Sequence, residues 1–136
     1  MPFASRLSRC PIPFEPDRAQ EVRALFGDLA PELRDLLGGT AGCSPFLKGL
    51  MEAETEWLRA ALEGNPEAAL AEEFARLAPV ALDDLPSELR RAKRRVALLA
   101  ALADLGGVWC LEEVTGALTR LGDLAVDLAL KRLVAE

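Results

Sequence analysis

Histidine and tyrosine are absent from this chain of 136 residues, and aromatic residues of all kinds make up only 5% of it. Without histidine there is no histidine-bearing zinc site, no Ser-His-Asp triad and no imidazole acid–base chemistry. The three cysteines, Cys10, Cys43 and Cys110, are odd in number and far apart. Reduced thiols in a cytoplasm suit them better than a disulfide framework. Val, Ile and aromatics are scarce, which weakens any case for strands. The longest uncharged run of the amphipathic part, Val96 to Ala103, falls far short of the ~20 residues that span a bilayer. MPFASRLSRCPIPFEP lacks the sustained apolar stretch of a signal peptide. Basic charge is also short: Lys plus Arg number 16 against 22 acids, for a net charge of −6. That balance argues against general nucleic-acid binding while leaving room for a local basic patch.

What is abundant is Ala, Leu, Glu and Arg, all strong helix formers, and hydrophobic residues reach 51%. The fold class expected is all-α. A compact array of five to six helices is expected, the last two long and antiparallel. The length fits one domain, able to bury about two-thirds of its unfolded surface. We divide it into an extended, proline-rich segment 1–16 and a single helical domain 17–136. The segment holds Pro2, Pro11, Pro13 and Pro16; it is either packed through Phe3, Ile12 and Phe14 or frayed.

Asp17 and Gln20 have the spacing of a capping box, predicting a helix from Arg18 to Phe26 that stops at Gly27. Pro31 opens a short helix, Glu32 to Leu37, ended by Gly38-Gly39. Ser44-Pro45 and Asn65-Pro66 repeat one device, a capping side chain followed by a proline that fits the first turn. They predict helices 45–63 and 67–78, with Phe46, Leu47, Leu50, Trp57, Leu58, Ala61 and Leu62 inward in the first. Ser87 is expected to cap the next.

The stretch 89–133 organises the rest. At about 100° per residue, Leu89, Ala92, Val96, Leu99, Ala100 and Ala103 share one arc. Arg90, Arg91, Arg94 and Arg95 occupy the opposite side, where Leu98, Leu102 and Leu105 follow two turns later. The helix therefore begins wet and enters the core as it proceeds. Gly106-Gly107 is the hinge. A second helix, Leu111 to Val134, carries a stripe of Leu111, Val114, Leu118, Leu121, Ala125 and Leu128 unbroken past Gly116 and Gly122. Cys110 is a poor capping residue. The pattern ends at Ala135-Glu136 with no cap, as a truncated helix would.

Catalytic signatures are thin. Leu37-Gly38-Gly39 followed by Glu52-Ala53-Glu54 has the outline of a nucleotidyltransferase motif, glycines for phosphate and paired acids for Mg²⁺. On a helix, however, residues i and i+2 diverge by about 200°, so the two acids cannot grip one ion. We assign no catalytic, cofactor-binding or metal-binding residue. Arg90, Arg91, Arg94 and Arg95, with Lys93 among them, are either a solvated face or a possible interaction face for carboxylate, phosphate or another domain. Trp57 and Trp109 read as inter-helix anchors.

Gly42-Cys43-Ser44-Pro45-Phe46-Leu47, then Leu89-Arg90-Arg91-Ala92-Lys93-Arg94-Arg95, then Leu111-Glu112-Glu113-Val114-Thr115 occur in that order. Together they resemble the N-terminal helical region of the bacterial glutamine synthetase adenylyltransferase and adenylyl-removing enzyme family, over roughly residues 40–134. The resemblance implies a fragment, because family members are several times longer and carry two nucleotidyltransferase domains. One attaches AMP to a tyrosine of glutamine synthetase and the other removes it by phosphorolysis, regulating nitrogen metabolism under the PII protein. It implies a non-catalytic, cytoplasmic scaffold for the adjacent adenylyl-removing domain, inactive alone, with Mg and ATP serving the full-length enzyme only. Glutamine synthetase, PII and the rest of the polypeptide are the implied partners; nucleic acid and membrane are not. Cys110 departs from the family's more usual polar cap. The alternative is a free-standing helical interaction module using the Arg90–Arg95 face.

Overall fold

Proline opens most of the helices. In the computed structural model, which describes residues 2–135, Pro16, Pro31, Pro45 and Pro66 each stand at the first position of a helix. There the missing N–H is one that no carbonyl would have claimed. Seven α-helices follow in order among the described residues. They are α1 Pro16–Leu25, α2 Pro31–Cys43, α3 Pro45–Ala53, α4 Thr55–Glu63, α5 Pro66–Leu77, α6 Leu85–Leu105 and α7 Leu111–Ala135. The fold is all-α as expected, with one more helix than the upper expectation because one predicted helix is divided.

The division is at Glu54, whose backbone (φ −118°, ψ 36°) leaves the helix between α3 and α4. The Thr55 hydroxyl donates to the carbonyls of Met51 and Glu52 at 2.9 and 3.0 Å, which a continuous helix would direct to later N–H groups. Both halves still bury one side, Leu50 and Met51 before the break and Leu58, Ala61 and Leu62 after it. The periodicity therefore runs through a break it cannot register. Phe46, expected inward, is exposed.

A second correction concerns Gly38-Gly39, which do not end α2. The helix continues to Cys43, and every residue from Leu36 to Gly42 is buried. Glycine costs a helix on the order of 1 kcal/mol per residue, but here its bareness is used. The segment before Pro16 crosses this face so closely that a methyl on Gly39 would meet the Pro11 carbonyl, and one on Gly42 the Pro13 ring. The Gly42 carbonyl accepts from Glu15 N–H at 2.9 Å and from Arg18 Nη2 at 2.9 Å, closing the end of α2. Further along the same strap, Ser8 and Arg9 N–H both donate to the Gly106 carbonyl, at 2.8 and 3.1 Å, and Phe3 N–H donates to Gly64 at 3.0 Å. Phe3 is fully buried, whereas Ile12 and Phe14 point to solvent.

Helix termini divide similarly. Ser44 and Asn65 cap as expected, accepting from the N–H groups of Leu47 and Ala68 at 3.1 and 2.7 Å. Asp17 does not: α1 begins at Pro16, two residues earlier than expected, behind Glu15, whose side chain makes no cap bond. Ser87 lies inside α6, which starts at Leu85, and its hydroxyl donates back to the Asp84 carbonyl at 3.0 Å. At the weak Cys110 terminus the Glu113 carboxylate reaches back and accepts from Cys110 N–H at 3.0 Å. That is the second half of a capping box, without the first.

The hinge between the two long helices forms where expected. Gly107 has φ +69°, the left-handed conformation that favours glycine. Val108 N–H then donates to Ala103 at 2.8 Å, turning the chain so that α7 returns antiparallel along α6. α6 dries as it proceeds: Arg90 and Arg91 are exposed, whereas Leu98, Leu99, Leu102 and Ala103 are fully buried. Trp109 plugs the hinge, its ring buried and its indole N–H donating to Glu67 at 3.2 Å. Arg132, on the last turns of α7, donates to the carbonyls of Val80 and Ala78 beyond α5. No described helix is long and apolar enough to cross a membrane. Glu136 lies outside the described residues, and with it the expectation of an uncapped end.

Candidate functional site: an ion-pair cluster beside an uncovered groove

The arginine-rich half of α6 faces acids from two other places in the chain and one from its own first turn. Arg95 is drawn inward, with Nη1 2.9 Å from Glu73 on α5 and Nε 3.3 Å from Glu54 at the α3–α4 break. Its guanidinium lies over the Trp57 ring, 5.5 Å from the centroid, so a flat cation is held by an aromatic face and two carboxylates together. Glu73 is only 2% exposed and Glu54 7%. Arg76 of α5 joins Glu73 to Glu88 on the first turn of α6. Arg91 and Arg94 stand farther out, each 3.7 Å from a carboxylate, Glu88 and Glu54 in turn. Hydrogen bonds from Arg76 hold the Glu88 carboxyl below the ordinary range, and those to Glu73 raise the Arg76 guanidinium.

The four arginines singled out from the sequence therefore separate. Arg95 is structural in its contacts, Arg91 and Arg94 are half engaged, and Arg90 has no carboxylate within 4 Å among the described residues. Lys93 is equally unpaired there. Glu52 and Glu54 diverge, with Glu54 at the break rather than within a continuous helix: Glu52 turns outward to Lys48 at 3.3 Å and Glu54 into the cluster. No group of three His, Cys, Asp or Glu among the described residues could hold a metal ion.

A different feature lies just beyond the cluster. α6 and α7 diverge to leave a groove of about 490 Å³, floored by Leu89, Ala97, Leu118, Leu121, Gly122 and Ala125, with Arg90 and Lys93 on its α6 wall. It exists because α7 is apolar over a wider arc than the core covers. Ala117, Leu121 and Leu128 are buried, but Leu111, Leu118, Val126 and Leu133 are exposed. The sequence showed the stripe; it did not show that only one edge would be covered. The cysteines lie apart from both features, and all three are free and exposed.

A profile of the glutamate-ammonia ligase adenylyltransferase family matches residues 35–136. That span takes in most of α2, the whole ion-pair cluster and the groove. The chain belongs to this family. Similar curated proteins are bifunctional glutamine synthetase adenylyltransferase/adenylyl-removing enzymes. The one from Bradyrhizobium sp. strain BTAi1 is 38% identical over 136 residues, covering 96% of this chain and 14% of that protein. Those from Caulobacter vibrioides and Xanthobacter autotrophicus are 38% and 41% identical, covering 85% and 79% of this chain and 11% of each relative. No solved structure matches. The chain thus spans about one-seventh of the length of such a relative, and its family match begins after α1 and the strap.

Proposed function

We propose that this chain performs the work of a non-catalytic helical part of the adenylyltransferase polypeptide, orienting an adjacent adenylyl-removing nucleotidyltransferase domain. The observation that carries the reading is the family match over 35–136 at only 14% of a relative's length. The ion-pair cluster gives such a part its rigidity: it fastens α6 to α5 and to the α3–α4 break through charges with little access to water. Mg²⁺, ATP and the reacting acids belong, on this reading, to the remainder of the polypeptide. Glutamine synthetase is then the substrate of that whole and PII its regulator, with no contact to either assigned to these residues.

The test is a chimera. The matching segment of the Bradyrhizobium enzyme is replaced by this chain, or deleted, and adenylyl removal from glutamine synthetase is followed. The chimera should retain activity and the deletion should lose most of it. Deletion without effect, or adenylyl transfer by the isolated chain, would overturn the reading.

A further inference from the structure

We infer that the groove between α6 and α7, continued along the outer face of α7, seats an amphipathic helix with an acidic flank supplied by the rest of the adenylyltransferase polypeptide. The inference rests on the scaffold reading above and names its docking surface. Three observations carry it.

First, the uncovered face is continuous. Leu111, Thr115, Leu118, Gly122, Ala125, Ala129 and Leu133 fall within an arc of about 80° on α7 at about 100° per residue, with Ala125 and Ala129 half-buried and the others exposed. This arc lies beside the buried one rather than inside it. Leu111 is 74% exposed and Leu133 61%, so the strip runs the length of the helix. Second, the floor is built for close approach. A methyl group at Gly122 would meet nothing within 4 Å, and Ala97, Gly122 and Ala125 line the floor. Helices approach to about 8–10 Å, depending on the side chains at the contact, and small residues there favour the near end. Third, the charge is one-sided. Arg90 and Lys93 stand on the α6 wall without a carboxylate within 4 Å among the described residues, while their neighbours Arg91, Arg94 and Arg95 are matched to Glu88, Glu54 and Glu73. An occupant that lays Asp or Glu along the α6 side completes what those acids leave open.

The alternatives fit less well. A second copy packed about a two-fold axis through the groove would bring the same two cations to the same rim. An anionic bilayer would meet a chain of net charge −6. Covering by the longer polypeptide agrees with a segment that is 14% of its relative.

The experiment mixes this 136-residue chain with the Bradyrhizobium polypeptide lacking its matching segment and measures association by size exclusion and titration. Leu118→Asp with Val126→Asp, and separately Arg90→Glu with Lys93→Glu, should each weaken association at least tenfold. Lys131→Glu, on the far side of α7, should not. These positions are exposed, and circular dichroism checks that each variant folds. Association unchanged in both groove variants, or absent with the unaltered chain, overturns the inference. So does a dimer of the chain alone that Leu118→Asp dissociates. The same substitutions in the chimera separate the two ideas. An active chimera indifferent to them removes only the docking surface, whereas an inactive unaltered chimera removes the scaffold reading itself.

Discussion

The basic face of α6 and the outer face of α7 belong to one hairpin, yet only one of them is closed within the chain. The arginines of α6 find acids 22 and 41 residues away, in Glu73 and Glu54. The leucines and valines on the outer edge of α7 find nothing comparable. A run of like charges in a sequence therefore says little about a free surface until its distant partners are placed. An apolar stripe likewise says little about a core until its width is compared with what packs on it. In this molecule the charged face is partly drawn inward, through Arg95, and the apolar one is partly external, the reverse of what each suggests when read alone.

Removing one partner of the closed face should show the largest effect. Glu73→Ala leaves Arg95 and Arg76 beside a desolvated gap, and truncating one member of a buried pair typically costs about 3–5 kcal/mol. With Arg95 still 15% exposed, we expect the lower end, about 3 kcal/mol in urea unfolding. A loss below about 1 kcal/mol would make the cluster an ordinary surface network and dissolve the contrast. The two edges of α7 can be compared within one helix. Leu121→Ala, at an 8% exposed position, should cost about 2–3 kcal/mol, and Leu118→Ala, at 44%, about 0.5 or less. Equal losses would mean that both edges are core.

Much of the fold was legible locally. Ser44-Pro45, Asn65-Pro66 and the Gly106-Gly107 hinge each announce themselves within a few residues, because capping and left-handed turns are short-range chemistry. What was not legible depends on the strap and on the cluster. Gly38-Gly39 read as a stop because glycine disfavours helix; they continue one where the Arg23 side chain of α1 covers Gly38 and the Pro11 carbonyl covers Gly39. The helix from Pro45 to Glu63 read as continuous because a one-residue break preserves the apolar side. Of the cluster, only the short-range pairs Glu73–Arg76 and Glu88–Arg91 carry a sequence signal, being three residues apart. Glu54 looked like half of an acid pair with Glu52, and nothing nearby shows that it turns inward.

Glycine offers a further way to set a covered face against an uncovered one. At Gly42 a methyl group would overlap the Pro13 ring, so Gly42→Ala should destabilise by about 1–3 kcal/mol and loosen the strap, read as faster amide exchange at Glu15. At Gly122 the space is open, and Gly122→Ala should stabilise by about 0.5–1 kcal/mol through helix propensity alone. Opposite signs at two helical glycines would support the difference in covering directly. A loss at both would place an unseen neighbour on α7.

The smallest effect expected comes from an exposed counterpart of the buried cluster. Glu67 accepts from Arg6 at 2.7 Å and from the Trp109 indole, with half of its side chain in water. The hydrogen bond from Arg6, more than the indole's, lowers its carboxyl from an ordinary 4.5 to about 2. Because the folded value lies below the unfolded one, the contribution is complete above pH 4.5 and is lost as the pH falls towards 2. Solvent screening limits it to below about 1 kcal/mol. The stability gap between the unaltered chain and Glu67→Gln should therefore narrow through that window and stay flat above it. A gap as wide at pH 2 as at pH 7 would show that the side chain contributes through packing on Trp109 rather than through its charge.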